Sequence, residues 1–311
     1  MSAPKLRFFF REPTVDTNRP LNEGIIKVEG FEFETVGKLD EADAWDCGFA
    51  ARMIAEAEGS DDVSIPAFPN RKFRLSYIYV NGKAGIRSPK DLEGKRVAIN
   101  NWANTAGVWA RGAMAHYYGV DLTKIRWLAR GLDEFALPSG IKIEQMGKRD
   151  TDALLLSGEI DAVIDPNVLP SITKRDPRVR RLFADYKSEE QKYYRETGIF
   201  PISHVVTLRR PFVDRNPGAP VALLKAFRLA RDMAIDNIQG ADPQVLVLSW
   251  VSALLDEQRA LMGDNYFAYN VADNKKPLGA MMQFAHEQGL TPKLVDFEKL
   301  FSPEAARLAG V

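Results

Sequence analysis

The sequence predicts an α/β protein of two lobes around a central cleft, and three observations carry that expectation. Residues 83–195 alternate short apolar runs with helical periodicity, the β-α-β rhythm of a mostly parallel sheet covered by helices on both faces. Strand-like segments flank this block, at residues 64–68 and 77–80 before it and within residues 198–208 after it. The chain thus enters and leaves the block once each. Two crossings imply two hinge strands between lobe 1, residues 1–82 and 196–311, and lobe 2, residues 83–195.

Along the chain, residues 6–10 read as a buried strand, followed by the polar punctuation of Pro13, Pro20 and Gly24. Residues 25–35 alternate, with Phe31 and Phe33 on one face and Glu32 and Glu34 on the other, and read as a second strand. Residues 42–59 read as a helix, because Ala44, Phe49, Ala50, Met53, Ile54 and Ala57 recur near helical spacing and Gly59 ends the run. Ser88-Pro89 with Asp91 is a helix-start signature leading into a strand at Val97. Helix over 105–118, strands near 125–128 and 142–145, helix over 150–157 and a strand at 162–164 follow. After the strand-rich return, helices are expected over 220–238, 244–255 and 272–288.

Composition excludes several function classes. Lys+Arg and Asp+Glu both total 42 in 311 residues, so no global charge draws the chain to nucleic acid or an anionic membrane. The single cysteine, Cys47, cannot form an internal disulfide and reads as a small buried residue, and no Cys/His cluster suggests zinc. The apolar run Phe8 to Phe10 is too short for a signal-peptide core, and no stretch is long enough to span a bilayer. A cytoplasmic protein is expected.

The segment from Gly94 to Trp109 is the most informative in the chain. A strand, Val97 to Ile99, breaks into the polar loop Asn100-Asn101-Trp102 and a helix opens at about Thr105. Free backbone N–H groups at such a helix start seat an anion, a small carboxylate above all.

From end to end the chain resembles the 4,5-dihydroxyphthalate decarboxylase family. The likeness rests on Asp16-Thr-Asn-Arg-Pro-Leu21, Ile65-Pro-Ala-Phe-Pro-Asn-Arg-Lys-Phe-Arg74 with Tyr77-Ile-Tyr-Val80, and Asp91-Leu-Glu-Gly-Lys-Arg96. Thr105-Ala-Gly-Val-Trp-Ala-Arg-Gly112, Tyr118-Gly-Val-Asp121, Gly131-Leu-Asp-Glu134 and Gly158-Glu-Ile-Asp-Ala162 continue it. Tyr193-Tyr-Arg-Glu-Thr-Gly-Ile-Phe-Pro-Ile202 with His204, Met262-Gly-Asp264 and His286-Glu-Gln-Gly289 complete it. The resemblance implies a type II periplasmic-binding-protein-like fold and decarboxylation of a hydroxylated aromatic acid without a cofactor or metal. The sequence departs from the family at Leu75, where a His usually stands, at Asn101, where an acid usually precedes the aromatic, and at Val15, in place of a Tyr. These departures imply a different substrate.

Such a reaction needs a carboxylate clamp, a ring hydroxyl to feed electrons into the ring, and an acid for the ring carbon. Arg74 and Arg71, three residues apart in a basic turn before a hinge strand, are the expected clamp, with Arg19 beside Asp16 as a further contact. His204, on the returning hinge strand, is the expected acid. From lobe 2, Trp102 is expected to stack on the ring while Asn101, Asn104 and Thr105 contact the substrate. Asp165 and Asn167 follow a strand end where open α/β sheets present ligands, and are expected to accept from a phenol or to cap the next element. The rival expectation is a solute-binding protein that closes on a small carboxylate, and another bond cleavage on the same fold stands third. A homo-oligomer is compatible with either enzyme reading, although no segment marks an interface.

Overall fold

The computed structural model describes residues 3–133, 135, 137–240 and 248–308. It contains two sheets. In the first, strands β1 (Lys5–Phe9), β2 (Glu32–Thr35), β3 (Ala44–Gly48), β4 (Val63–Ile65) and β11 (His204–Leu208) run in the order β2-β1-β3-β11-β4. In the second, β5 (Ile78–Asn81), β6 (Arg96–Ile99), β7 (Arg126–Ala129), β8 (Ile143–Gln145), β9 (Ala162–Ile164) and β10 (Val179–Arg181) run in the order β10-β5-β9-β6-β7-β8. The four strands β9, β6, β7 and β8 are parallel, as the β-α-β rhythm requires, while β5 pairs antiparallel with both β9 and β10.

The chain crosses between the sheets twice, from Ile65 to Ile78 and from Arg181 to His204. The outgoing crossing carries Asn70, Lys72 and Arg74 and ends in a 3-10 turn, Leu75–Tyr77; the return carries Ser203 into His204. The crossings touch each other at an antiparallel bridge between Arg71 and Ile202.

Helices fill the connections. The first sheet carries α1 (Arg19–Asn22) and α2 (Phe49–Ala57), and the second α3 (Thr105–His116), α4 (Thr151–Ser157), α5 (Pro170–Thr173) and α6 (Tyr186–Thr197). After β11 come α7 (Arg210–Arg215), α8 (Ala219–Gln239), α9 (Val251–Met262), α10 (Lys275–Glu287) and α11 (Pro303–Arg307). Side-chain caps start several of them: the Asn104 carboxamide accepts the Gly107 N–H of α3 at 3.2 Å, and Asp150 accepts the Asp152 N–H of α4 at 2.9 Å. Helix α10 packs on both α2 and α3, so the C-terminal segment bridges the two halves. One apolar core runs through both sheets, from Phe8 and Phe227 to Val97 and Trp127, and a smaller cluster of Ala98, Leu154, Leu155 and Val163 lies on the second sheet. No helix among the described residues is long and apolar enough to cross a membrane.

Three elements differ from the expectation. Residues 44–48 form the central strand β3, not the start of a helix; the helical spacing of residues 49–57 belongs to α2 alone. Ala44, Asp46 and Cys47 are buried between β1 and β11, where two hydrogen-bonded neighbours outweigh local spacing. The second strand shrinks to Glu32–Thr35, because Gly24 and Gly30 take positive φ of 69° and 79° and turn the preceding segment. The late helix begins at Val251, and residues 244–247 of its expected range lie outside the described residues.

Candidate active site

A cavity of about 410 Å³ lies where the carboxyl ends of β1, β3, β6 and β9 meet the two crossings. Each strand delivers its lining group at or just past its last residue. β1 is followed by Arg11 and Glu12, β3 ends at Gly48, β6 is followed by Asn100 and Asn101, and β9 by Pro166 and Asn167. Open α/β sheets present ligands at this edge because the strand ends splay there and helices start there. Two helix N-termini contribute to the wall: Gly48 and Ala51 from the start of α2, and Asn104, Thr105 and Ala106 from the start of α3. Both orient partial positive charge toward the cavity. They also meet. The Ala50 N–H donates to Thr105 Oγ1 at 3.2 Å, and a Cβ added to Gly48 would stand 3.0 Å from the same oxygen.

The crossings supply the charged groups. Arg74 Nη2 donates to Ser203 Oγ at 2.5 Å and Nη1 reaches the Pro166 carbonyl at 3.5 Å, while its buried Nε has no partner. Its guanidinium carbon stands 5.4 Å from the Tyr77 ring. Among the described residues Arg74 forms no ion pair, and burial pulls its pKa below the ordinary value. A buried guanidinium without a carboxylate is costly unless an anionic guest completes it.

His204 opens β11, and its Nδ1 lies 2.9 Å from Asp46 Oδ2. The other oxygen of Asp46 accepts the Arg11 N–H at 2.5 Å. Asp46 is fully buried on β3 and accepts at both oxygens, which assigns the Nδ1 proton to the imidazole and leaves Nε2 as the exchanging position. The backbone of the pair is pinned as well, since the Ser203 and His204 N–H groups both donate to the Asn70 carbonyl.

Of the residues nominated from sequence, the structure brings Arg74, His204, Asn101, Asn104 and Thr105 to this one cavity, together with Asn167. Four others lie elsewhere. Trp102 is buried: its indole N–H donates to the Gln288 carbonyl at 2.7 Å and the Arg111 guanidinium sits 3.9 Å from its ring centroid. Asp133 accounts for this, since its carboxylate accepts the Trp102 and Ala103 N–H groups at 2.7 and 3.1 Å and bends the loop so that the ring turns inward. Arg71 donates to Asn274 Oδ1 at 2.8 Å and to the Phe200 carbonyl at 2.7 Å, stacks on Phe200 and faces a different cavity. The three-residue spacing does not align the two arginines, because Arg71 lies in an extended bridge and Arg74 enters a 3-10 turn. Arg19 is exposed on α1 beside Glu23, 3.9 Å away. Asp165 turns back to accept the Asn167 N–H at 2.9 Å and is absent from the cavity wall.

Sequence reasoning missed Arg11, Glu12, Asn70, Lys72 and Ser203 in the wall, and Asp46 behind His204. Arg11-Glu12 carried a usable signal, a charged pair directly after a buried strand; Asp46 was hidden by the helical reading of its segment. Among the described residues, no cluster of three or more His, Cys, Asp or Glu could hold a metal ion. What the wall can do is bind an anion through Arg11, Lys72, Arg74 and two helix starts, and move a proton at His204 Nε2.

A 4,5-dihydroxyphthalate decarboxylase of Comamonas testosteroni is 28% identical over 320 aligned residues, covering 96% of this chain and 97% of that protein. The chain is a relative of the 4,5-dihydroxyphthalate decarboxylases. A second such decarboxylase, of Pseudomonas putida, is 27% identical over 198 residues, 57% of this chain and 77% of that protein. No family model matches the chain. Among solved structures, a periplasmic sulfonate-binding protein SsuA of Methylobacillus flagellatus KT superposes with a TM-score of 0.56 at 16% identity, covering 98% of this chain and 93% of that one. The desulfurization enzyme DSZB superposes at 0.51 with 15% identity over 97% and 98% of the two chains. The fold is therefore that of the two-lobed periplasmic binding proteins, which is found in an enzyme as well as in a binding protein.

Proposed function

We propose that this chain is a carboxy-lyase that decarboxylates a hydroxylated aromatic dicarboxylate of the phthalate class, bound in the cavity between the two sheets. The observation that carries the reading is the pairing of a buried Arg74, which forms no ion pair among the described residues, with a His204 held by Asp46, both in the wall of one cavity. The naming of one end-to-end relative, and of a second matched over 57% of this chain, as 4,5-dihydroxyphthalate decarboxylases supports the reaction and the substrate class. The lobe division at residues 82/83 and 195/196 belongs to the same reading; β5, residues 78–81, lies between β10 and β9 in the second sheet, on the lobe-1 side of the first boundary.

The chemistry follows from the groups present. Arg74 and the start of α3 hold the carboxylate that stays. A ring hydroxyl para to the departing carboxylate feeds electrons into the ring, and protonated His204 delivers a proton from Nε2 to the carbon bearing that carboxylate. The C–C bond then breaks, its electron pair restores the aromatic ring, and CO₂ leaves. Asp46 holds the imidazole in the orientation this transfer needs. The ring itself acts as electron sink, so the reaction as written calls on no cofactor.

The test is to incubate the purified protein with 4,5-dihydroxyphthalate and measure released CO₂. Stoichiometric release supports the reading. Tight binding without release, at any pH from 5 to 9, would instead make the protein a carboxylate-binding one.

A further inference from the structure

Among the described residues Glu12 is the only carboxylate in a wall that also holds Arg11, Lys72 and Arg74. An acid placed there acts favourably on the buried Arg74 but repels an aromatic dicarboxylate, so what its free oxygen does to a guest needs a physical account. Asn70 orients it. The Asn70 Nδ2–H donates to Glu12 Oε2, and the backbone at Glu12 is fixed by the Asn18 side chain, whose Nδ2–H donates to the Glu12 carbonyl at 3.0 Å. Among the described residues Oε1 has no hydrogen-bond partner and no cation paired to it. One oxygen is thus anchored and the other is left as an acceptor. Asp165, the sequence candidate for accepting from a phenol, is engaged with its own loop.

We propose that Glu12 reads the ring hydroxyl of the substrate: Oε1 accepts its hydrogen bond and takes its proton. The proposal rests on the decarboxylase reading and adds the group that makes hydroxylation a requirement. When His204 protonates the ring carbon, the hydroxyl becomes strongly acidic and its proton passes to Glu12, leaving a ring carbonyl. When the C–C bond breaks, the electron pair returns through the ring to that oxygen, which recovers the proton from Glu12 as CO₂ departs. Glu12 ends as it began, and His204 regains its proton from solvent. A ring without the hydroxyl lacks the oxygen lone pair that stabilises the protonated ring, and leaves Oε1 without a donor.

Glu12→Gln separates the roles. Asn70 Nδ2 is a donor, so a Gln must turn its carbonyl toward Asn70 and present its NH₂ to the cavity, where it cannot take a proton. The experiment measures Kd for phthalate and for 4,5-dihydroxyphthalate, and kcat/KM for the latter, in wild type, Glu12→Gln and Glu12→Asp. Expected for Glu12→Gln are unchanged or tighter phthalate binding, a loss of the preference for the hydroxylated ligand, and kcat/KM down about 100-fold, with Glu12→Asp recovering part of it. Equal changes for both ligands, or full turnover in Glu12→Gln, overturn the proposal. If Glu12→Gln fails to bind phthalate or melts early, Glu12→Asp alone decides: turnover at the wild-type rate with no change in ligand preference overturns the proposal, and a selective loss of the hydroxylated ligand upholds it. If wild type releases no CO₂, the decarboxylase reading falls, while the binding ratio between the two ligands in wild type and Glu12→Gln still decides whether Glu12 reads the hydroxyl.

Discussion

Asp46 and His204 stand 158 residues apart in sequence and 2.9 Å apart in space, on neighbouring antiparallel strands of the first sheet. The carboxylate is wholly buried and the imidazole borders the cavity, so the acid acts on the ligand only through the ring it holds.

Asp46→Asn therefore separates orientation from binding. Carboxylate affinity is expected to stay within about twofold while kcat falls roughly 100-fold. His204→Ala should show the same split with a deeper loss of kcat. Titration calorimetry beside a CO₂ assay checks both, and a parallel loss of affinity and turnover counts against the assignment of His204 as proton donor.

Arg74→Met should do the reverse. Anion affinity is expected to fall about 100-fold, the cost of a charge-assisted hydrogen bond. Stability without ligand should rise, by about 1–2 kcal/mol, because a buried cation with no carboxylate partner is removed. Urea denaturation with and without phthalate reads both signs.

Glu190 gives a pH-dependent test of stability. Its buried carboxylate accepts the Ser76 N–H at 2.8 Å, and burial raises its pKa above the ordinary glutamate value. The folded state then holds the proton longer than the unfolded state, so its contribution to stability is complete below the unfolded value and falls as pH rises through the folded one. Glu190→Gln keeps an acceptor without the charge. Its melting temperature should exceed wild type by roughly 1–2 °C at pH 8 and match it near pH 4. A constant difference across that range would count against the account.

Gly112 tests the bridge between the halves. A Cβ at this position on α3 would stand 2.1 Å from the Phe284 ring of α10. Gly112→Ala is expected to destabilise by about 1–3 kcal/mol despite the better helix propensity of alanine. An unchanged or raised midpoint in denaturant would show that α10 yields freely.

Much of this fold was legible because residues 83–195 are built from local signals. The Ser88–Asp91 capping box, the Val97 strand, the Thr105 helix and the Asp150 cap all stand within two residues of their expected places. The strand β3 was illegible for the opposite reason. Its identity comes from β1 and β11, the second supplied some 160 residues later, and its neighbour α2 has a strong helical period that bleeds backward. Losing that strand hid Asp46. In the site, residues announced by a loop after a strand, such as Asn101, Asn104 and Thr105, line the cavity. Trp102 and Arg71 could not be placed from spacing, since each is turned away by groups distant in sequence, Asp133 and Gln288 in one case and Asn274 in the other.

The two crossings that join the sheets are also the segments that present Arg74, Ser203 and His204. Any twist of one sheet against the other would therefore be felt at the contact between Arg74 and Ser203 and at the imidazole beside Asp46, so rigidity of these two segments and alignment of the cavity wall are one property of the fold.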